Sequence, residues 1–471
     1  MGRTAVVVGS GPNGLAAAIV LAQAGFAVEV REAAPEPGGG ARSGQLTLPG
    51  FLHDLCSAVH PLALASPFFS QLNLLAQGLQ WIWSPAELAH PLDDGTAVLL
   101  HRDVAETAAQ FGSGAGLWRD IFEPLVENWD ALAETVLTPL RVPRHPFVLA
   151  RFGLRALQPA RRLGKSLGNK RAQALFAGLA AHSTLRLEAP LSSAFGLFLG
   201  AAAHAGGWPI PKGGAQSITN ALVDILLSLG GRIMIDARVN HLDELGHPDL
   251  TLCDVTPHQF LALSAGRIRP PFRRLLEQYR YGPGIFKVDW ALREPIPWTA
   301  KECSSAITVH LGGTLDEIAA SERAPWDNAP PEKPFVLLAQ PSLFDPARAP
   351  EGRHTAWAYC HVPNGWSGSA LTRIEDQVER FAPGFRECIL ARATHNPIQM
   401  QQWNENLVGG DINGGAFTPL QFAFRPTWRE YATPLRGVYF CSSSTLPGGG
   451  VHGMCGYNAA RAALTLFGKR A

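Results

Sequence analysis

Near its start the chain runs through the small apolar residues Ala5 to Val8, breaks at Gly9-Ser10-Gly11-Pro12-Asn13-Gly14, and continues from Leu15 to Ala22 with no helix breaker. Apolar run, glycine turn and uninterrupted apolar helix read as strand, tight turn and helix. A second apolar run, Phe26 to Arg31, ends on Glu32. The two runs joined through a helix are the start of a βαβ unit, which commits the chain to a parallel sheet covered by helices.

In such a unit the first glycine allows the turn and the second lets the backbone approach a pyrophosphate. The third lets helix and strand pack closely, and the phosphates rest on the N–H groups and positive dipole of the helix start. Gly9, Gly11 and Gly14 stand at those places with Ser10, Pro12 and Asn13 between them, and Glu32 is placed to bond a ribose hydroxyl. A dinucleotide is therefore expected, and NAD and FAD share this half-site. The next loop, Gly38-Gly39-Gly40-Ala41-Arg42-Ser43, adds glycines at 39 and 40 for close approach and Arg42 for a bidentate hold on phosphate.

With that second glycine-arginine motif the chain resembles the FAD-dependent phytoene desaturases and flavin amine oxidases. The resemblance extends to the far end, where Val438 to Cys441 leads through Gly448-Gly449-Gly450-Val451-His452-Gly453-Met454 into an alanine-containing helix. In that family this segment closes over the flavin and offers the helix start to the reduced ring. The resemblance thus implies non-covalent FAD, with Val451, His452, Gly453 and Met454 lining the ring. Ser442-Ser443-Ser444 and His452 depart from the carotenoid enzymes, and the chain looks closer to the phytoene dehydrogenase-related oxidoreductases, whose substrate is open. The same resemblance returns the chain to the nucleotide domain after Trp208, with the end of a strand from Arg232 to Val239 near the adenine.

The expected fold is α/β: a discontinuous Rossmann-like FAD-binding domain (1–75, 205–275 and 405–471) with a mixed α+β substrate domain (76–204 and 276–404). The stretch 76–204 reads mostly as helices, and β-patterned runs follow at 286–292, 305–311 and 335–340. At 471 residues with a net charge of +1, the composition predicts no nucleic-acid partner. Seven cysteines without a CxxC pair suggest neither a metal site nor a disulfide framework, and they suit a reducing cytosol. No signal peptide or 18-residue apolar run is evident, so a cytoplasmic location is expected.

One bias remains. From Thr135 to Leu187 there is no acid, while Arg141, Arg144, Arg151, Arg155, Arg161, Arg162, Lys165, Lys170, Arg171 and Arg186 are basic. Interleaved apolar residues allow peripheral contact with an anionic membrane or a mouth for a lipid-like substrate; the alternative is a solvated face or partner surface.

Three residues are candidates for chemistry. Strand alternation in the stretch from Gly282 to Leu292 puts Lys287 and Asp289 on one face and Phe286, Val288 and Trp290 on the other. By resemblance to the amine oxidases Lys287 would hold a water at flavin N5; otherwise it reaches solvent at a strand edge. His452 in the glycine loop and His60 before Pro61 could each donate a hydrogen bond or move a proton. The expected function is FAD-dependent dehydrogenation of a largely apolar, isoprenoid-like substrate, with oxygen, a quinone or a protein as electron acceptor. An amine oxidase, a redox-neutral isomerase and a non-catalytic flavin-bound scaffold are the rival readings.

Overall fold

The computed structural model describes residues 2–139, 144–429 and 431–468. The chain opens with β1 (Thr4–Val8), α1 (Pro12–Gln23) and β2 (Ala27–Arg31), then forms β3 (Ala86–Pro91) and β4 (Ala97–Leu100). A helical stretch includes α2 (Pro146–Ala156), α3 (Lys170–Ala181) and α4 (Ser192–Ala205), followed by α5 (Gln216–Ser228), β5 (Arg232–Met234) and β6 (Leu250–Cys253). Five strands come next: β7 (Gly284–Leu292), β8 (Ala306–Leu311), β9 (Val336–Ala339), β10 (His354–Val362) and β11 (Ile389–His395). The chain closes with β12 (Val438–Phe440) and α6 (Met454–Gly468).

The first sheet, ordered β12-β6-β1-β2-β5, is wholly parallel and gathers strands from three distant stretches. Such a sheet must be covered on its faces. α1, buried from Asn13 to Leu21, packs against both α5 and α6. The packing of α6 on α1 is close enough that a Cβ on Gly456 would stand 1.8 Å from the Asn13 carbonyl oxygen. Strand β5 ends at Met234, short of the expected Val239, because Asp236 adopts φ +50° and turns the chain.

The second sheet has the order β11-β7-β10-β9-β8-β3-β4. The stretch 76–204, expected mostly as helices, also supplies β3 and β4 to this sheet. Every residue of β3 is buried, so the strand lacks the polar-apolar alternation by which a half-buried strand is recognised. Because β7 lies between β11 and β10, Lys287 is fully buried within the sheet, and the reading of it as a solvent-reaching edge residue is wrong.

Residues directly opposite in an antiparallel ladder share a face. One row is therefore Lys287, Tyr359, Leu337 and His310, and the next is Asp289, Trp357, Ala339 and Thr308. The reverse face carries Phe286, Val288 and Trp290 into a separate apolar core with Val336, Ala358 and Cys360. Among the described residues no helix is long and apolar enough to cross a membrane.

Candidate functional site

A cavity of about 1000 Å³ runs from the glycine turn after β1 to the charged-and-aromatic face of the second sheet. Its first end is built by the opening motif. Pro12 occupies the first turn of α1, where its missing N–H costs nothing. A Cβ on Gly14 would stand 2.1 Å from the Gly9 carbonyl oxygen, so close packing of helix start and turn excludes any side chain there.

Glu32 is oriented by three donors: its Oε2 accepts the Ser10 N–H (2.8 Å) and hydroxyl (2.6 Å), and its Oε1 accepts the Ala34 N–H (2.8 Å). A carboxylate has lone pairs for more partners than these. Arg42 lies 4.5 Å over the Trp403 ring and donates through Nε to the Gly39 carbonyl (3.2 Å). Its two terminal nitrogens have no partner among the described residues. A buried guanidinium with free donors beside a helix N-terminus suits a phosphate. The Asn13 and Asn406 side-chain oxygens, buried at the same wall, are also without partners.

The sequence reading overlooked Asp254, which follows β6 directly. Its Oδ2 accepts the Gly14 N–H at 2.9 Å, and burial pushes its carboxyl up to about 7. It stands at the carboxyl end of a strand next to β1, where open parallel sheets place their ligands, and that position in the sheet is not visible in sequence.

Of the expected site residues, Gly9, Ser10, Gly11, Pro12, Asn13, Glu32, Gly39, Gly40, Arg42, His60, Val239 and Val451 line the cavity. Gly14, Gly453, Met454, Lys287 and His452 do not stand at its wall. The His452 Nδ1 accepts the Met454 N–H (3.0 Å), so the histidine caps α6 and takes a donor that the helix start was expected to offer the ring. Burial lowers its pKa to about 4. His60 is in a different state: it is buried at the wall, its Nε2 has no partner, and burial lowers its pKa to about 4. Neutral imidazole with a nitrogen left over at the wall is available for a hydrogen bond to a bound group.

Lys287 is paired with Asp289, both fully buried. Its Nζ lies 5.8 Å from the centroid of Trp357, whose ring stacks on Tyr359 at 5.6 Å and 8°. Trp357 and Tyr359, not the lysine, form the cavity floor. Burial pushes the Asp289 carboxyl up to about 6 against the pull of Lys287. Cys455 donates to the carbonyls of Thr445 and Gly448 away from the cavity.

At the inner end His182 lines the wall and its Nε2 lies 3.1 Å from that of His310. Trp208 packs 5.5 Å and 5.9 Å from these two rings, and its backbone N–H is held by Glu87 at 2.6 Å. Sequence reasoning found none of Trp208, Thr308, Trp357 or Tyr359, since only the register of β8, β9 and β10 and the docking of the segment before α5 bring them together.

The profile of the NAD(P)-binding Rossmann-like domain matches residues 7–72. Pyridine nucleotide-disulfide oxidoreductase domain-containing protein 2 of Rattus norvegicus is 24% identical over 97% of this chain and 92% of its own. Phytoene dehydrogenase of Streptomyces griseus is 26% identical over 82% of this chain and 77% of its own. The chain is thus similar to a phytoene dehydrogenase over most of its length. Among solved structures, a variant of putrescine oxidase superposes with a TM-score of 0.62 at 16% identity, covering 100% of this chain and 99% of the other. The fold is therefore shared with putrescine oxidase, and the relatives found by sequence are oxidoreductases.

Proposed function

We propose that the chain binds FAD non-covalently along the cavity and dehydrogenates a largely apolar organic substrate held at its inner end. The observation that carries this reading is a single cavity joining the Gly9–Arg42 motif to the Trp357–Tyr359 floor. The α1 N-terminus and Arg42 would hold the pyrophosphate, Glu32 a ribose hydroxyl, and Val451 with Gly450 the ring. When bound, FAD supplies a hydride acceptor at its flavin N5. Trp357 and Tyr359 offer a flat surface against which an unsaturated substrate is oriented. His60, neutral at the wall, would offer the bound substrate or ring a hydrogen-bond partner. Oxygen, a quinone or a protein then removes the electrons. Purified protein is expected to be yellow, to release FAD on denaturation, and to be bleached anaerobically by an apolar substrate. Colourless protein that FAD cannot reconstitute would sink this reading.

Much of the basic run is neutralised by acids from elsewhere in the chain. Arg144 pairs with Glu134, Arg161 with Asp316 and Glu188, and Arg186 with Asp327; Arg141 lies outside the described residues. Besides these pairs, α2 and the residue after it carry a stripe in which Phe147, Leu154 and Leu157 are exposed by 89%, 74% and 63% beside exposed Arg151. Apolar side chains alternating with arginine suit an anionic lipid surface. α2 packs on α4, whose Phe195 and Leu199 line the cavity, so a bilayer there would lie one helix from the substrate end.

A further inference from the structure

The inner end of the cavity differs from a hydrocarbon slot in one respect. Three residues lining it, Trp208, Thr308 and Trp357, carry buried polar atoms (Nε1, Oγ1 and Nε1) that have no partner among the described residues. Buried donors are nearly always satisfied, and a cluster of three that are not, at one end of a cavity, marks the place of a missing acceptor. Thr308 and Trp357 stand in one row across the floor with only Ala339 between them, roughly 10 Å apart by strand spacing. Trp208 closes the other side against His310, which is on the same face of β8 as Thr308.

Resting on the flavoenzyme reading above, we propose that this end recognises a neutral oxygen, carbonyl or hydroxyl, on an otherwise apolar substrate. Indole N–H groups can only donate, so the ligand atom they meet is an acceptor. A cationic head finds no carboxylate at this end: the acids that line the cavity, Glu32, Asp254 and Glu405, all stand toward the nucleotide end, and Asp289, Glu322 and Glu87 do not reach the wall. A carboxylate finds no free cation, since Lys287 is engaged and does not reach the wall. Burial also keeps His182 and His310 uncharged at neutral pH. An ammonium or carboxylate would thus be desolvated without compensation, whereas a ketone or alcohol satisfies the waiting donors.

The test uses four probes of similar chain and different head: farnesene, farnesol, farnesylacetone and farnesylamine. Each is titrated into the FAD-loaded protein and followed by flavin absorbance and tryptophan fluorescence. The ketone and the alcohol are expected to bind at least tenfold tighter than the hydrocarbon or the amine. Thr308→Val and Trp357→Phe, checked for flavin content and melting temperature, are each expected to weaken the ketone three- to tenfold more than they weaken the hydrocarbon. Trp208→Phe serves if either variant fails to fold. Hydrocarbon or amine binding as tight as the ketone, variants that weaken hydrocarbon and ketone alike, or no binding of any probe would each overturn the proposal. Failure to take up FAD is a different result and strikes the reading it rests on; the probe order is then still read from tryptophan fluorescence of the FAD-free protein.

Discussion

At the nucleotide end of the cavity, most of the groups that would hold a ligand come from the backbone and side chains of one short stretch, Gly9 to Arg42. At the inner end they come from α4, the segment before α5 and three strands of the second sheet, residues that are far apart in the chain. The first end is shaped by what is missing, side chains at the glycines. The second is shaped by what is present and unpaired. Defects should therefore separate: changes at the first end abolish the cofactor, and changes at the second leave it and alter only the substrate.

The largest effect is expected at Gly14. A methyl group there would overlap the Gly9 carbonyl oxygen, so Gly14→Ala should yield protein without flavin, read from the absorbance of purified material. A yellow variant of normal affinity would break the comparison. Lys287→Met should come next, because it leaves the buried Asp289 without its counter-charge. A loss of about 3–5 kcal/mol is expected in denaturant melts, with much of it restored by Lys287→Met/Asp289→Leu. An unchanged single variant would show that the pair does not hold the floor.

Asp254 sharpens the comparison through pH. Its carboxyl sits near 7 in the folded protein and near 3.8 when unfolded. The raised folded value means that its stabilising contribution is complete below pH 3.8 and is lost as pH rises through 7. Asp254→Asn keeps an oxygen for the Gly14 N–H but never ionises. It should match wild type near pH 4 and exceed it by up to about 4 kcal/mol at pH 8. Parallel stability curves at both pH values would show that the carboxyl titrates normally.

Glu32→Gln should keep the fold and weaken FAD about tenfold to a hundredfold, the worth of one charge-assisted hydrogen bond, measured by equilibrium titration of FAD-free protein. The smallest effect is expected on α2. Phe147→Ser/Leu154→Ser should reduce sedimentation with phosphatidylglycerol vesicles several-fold and leave flavin content untouched. Equal, negligible sedimentation of wild type and variant would leave the stripe a solvated face.

The legibility of the two ends follows the same division. The strand, turn, helix and acid of the first end are local, so Gly9, Gly11, Gly14 and Glu32 could be read in order, and Arg42 followed from the next loop. His452 stood in the right loop, but its ring turns to the Met454 N–H, a choice made by local capping geometry that residue identity does not reveal. His60, marked in sequence only by its place before Pro61, is the one of the three that reaches the cavity wall.

What the sequence by itself determined is the βαβ start, because glycine spacing and helical periodicity are short-range properties with few conformations open to them. The alternation of β7 also belongs to the sequence, since a strand has only two faces. Tertiary structure alone decided which of those faces meets the cavity, and it set Trp357 above the Lys287–Asp289 pair. It likewise brought Asp316, Asp327 and Glu188 to a basic segment that reads as acid-free. Both outcomes depend on strand register and helix docking, which are fixed by the summed burial of residues hundreds of positions apart and by no single stretch of chain.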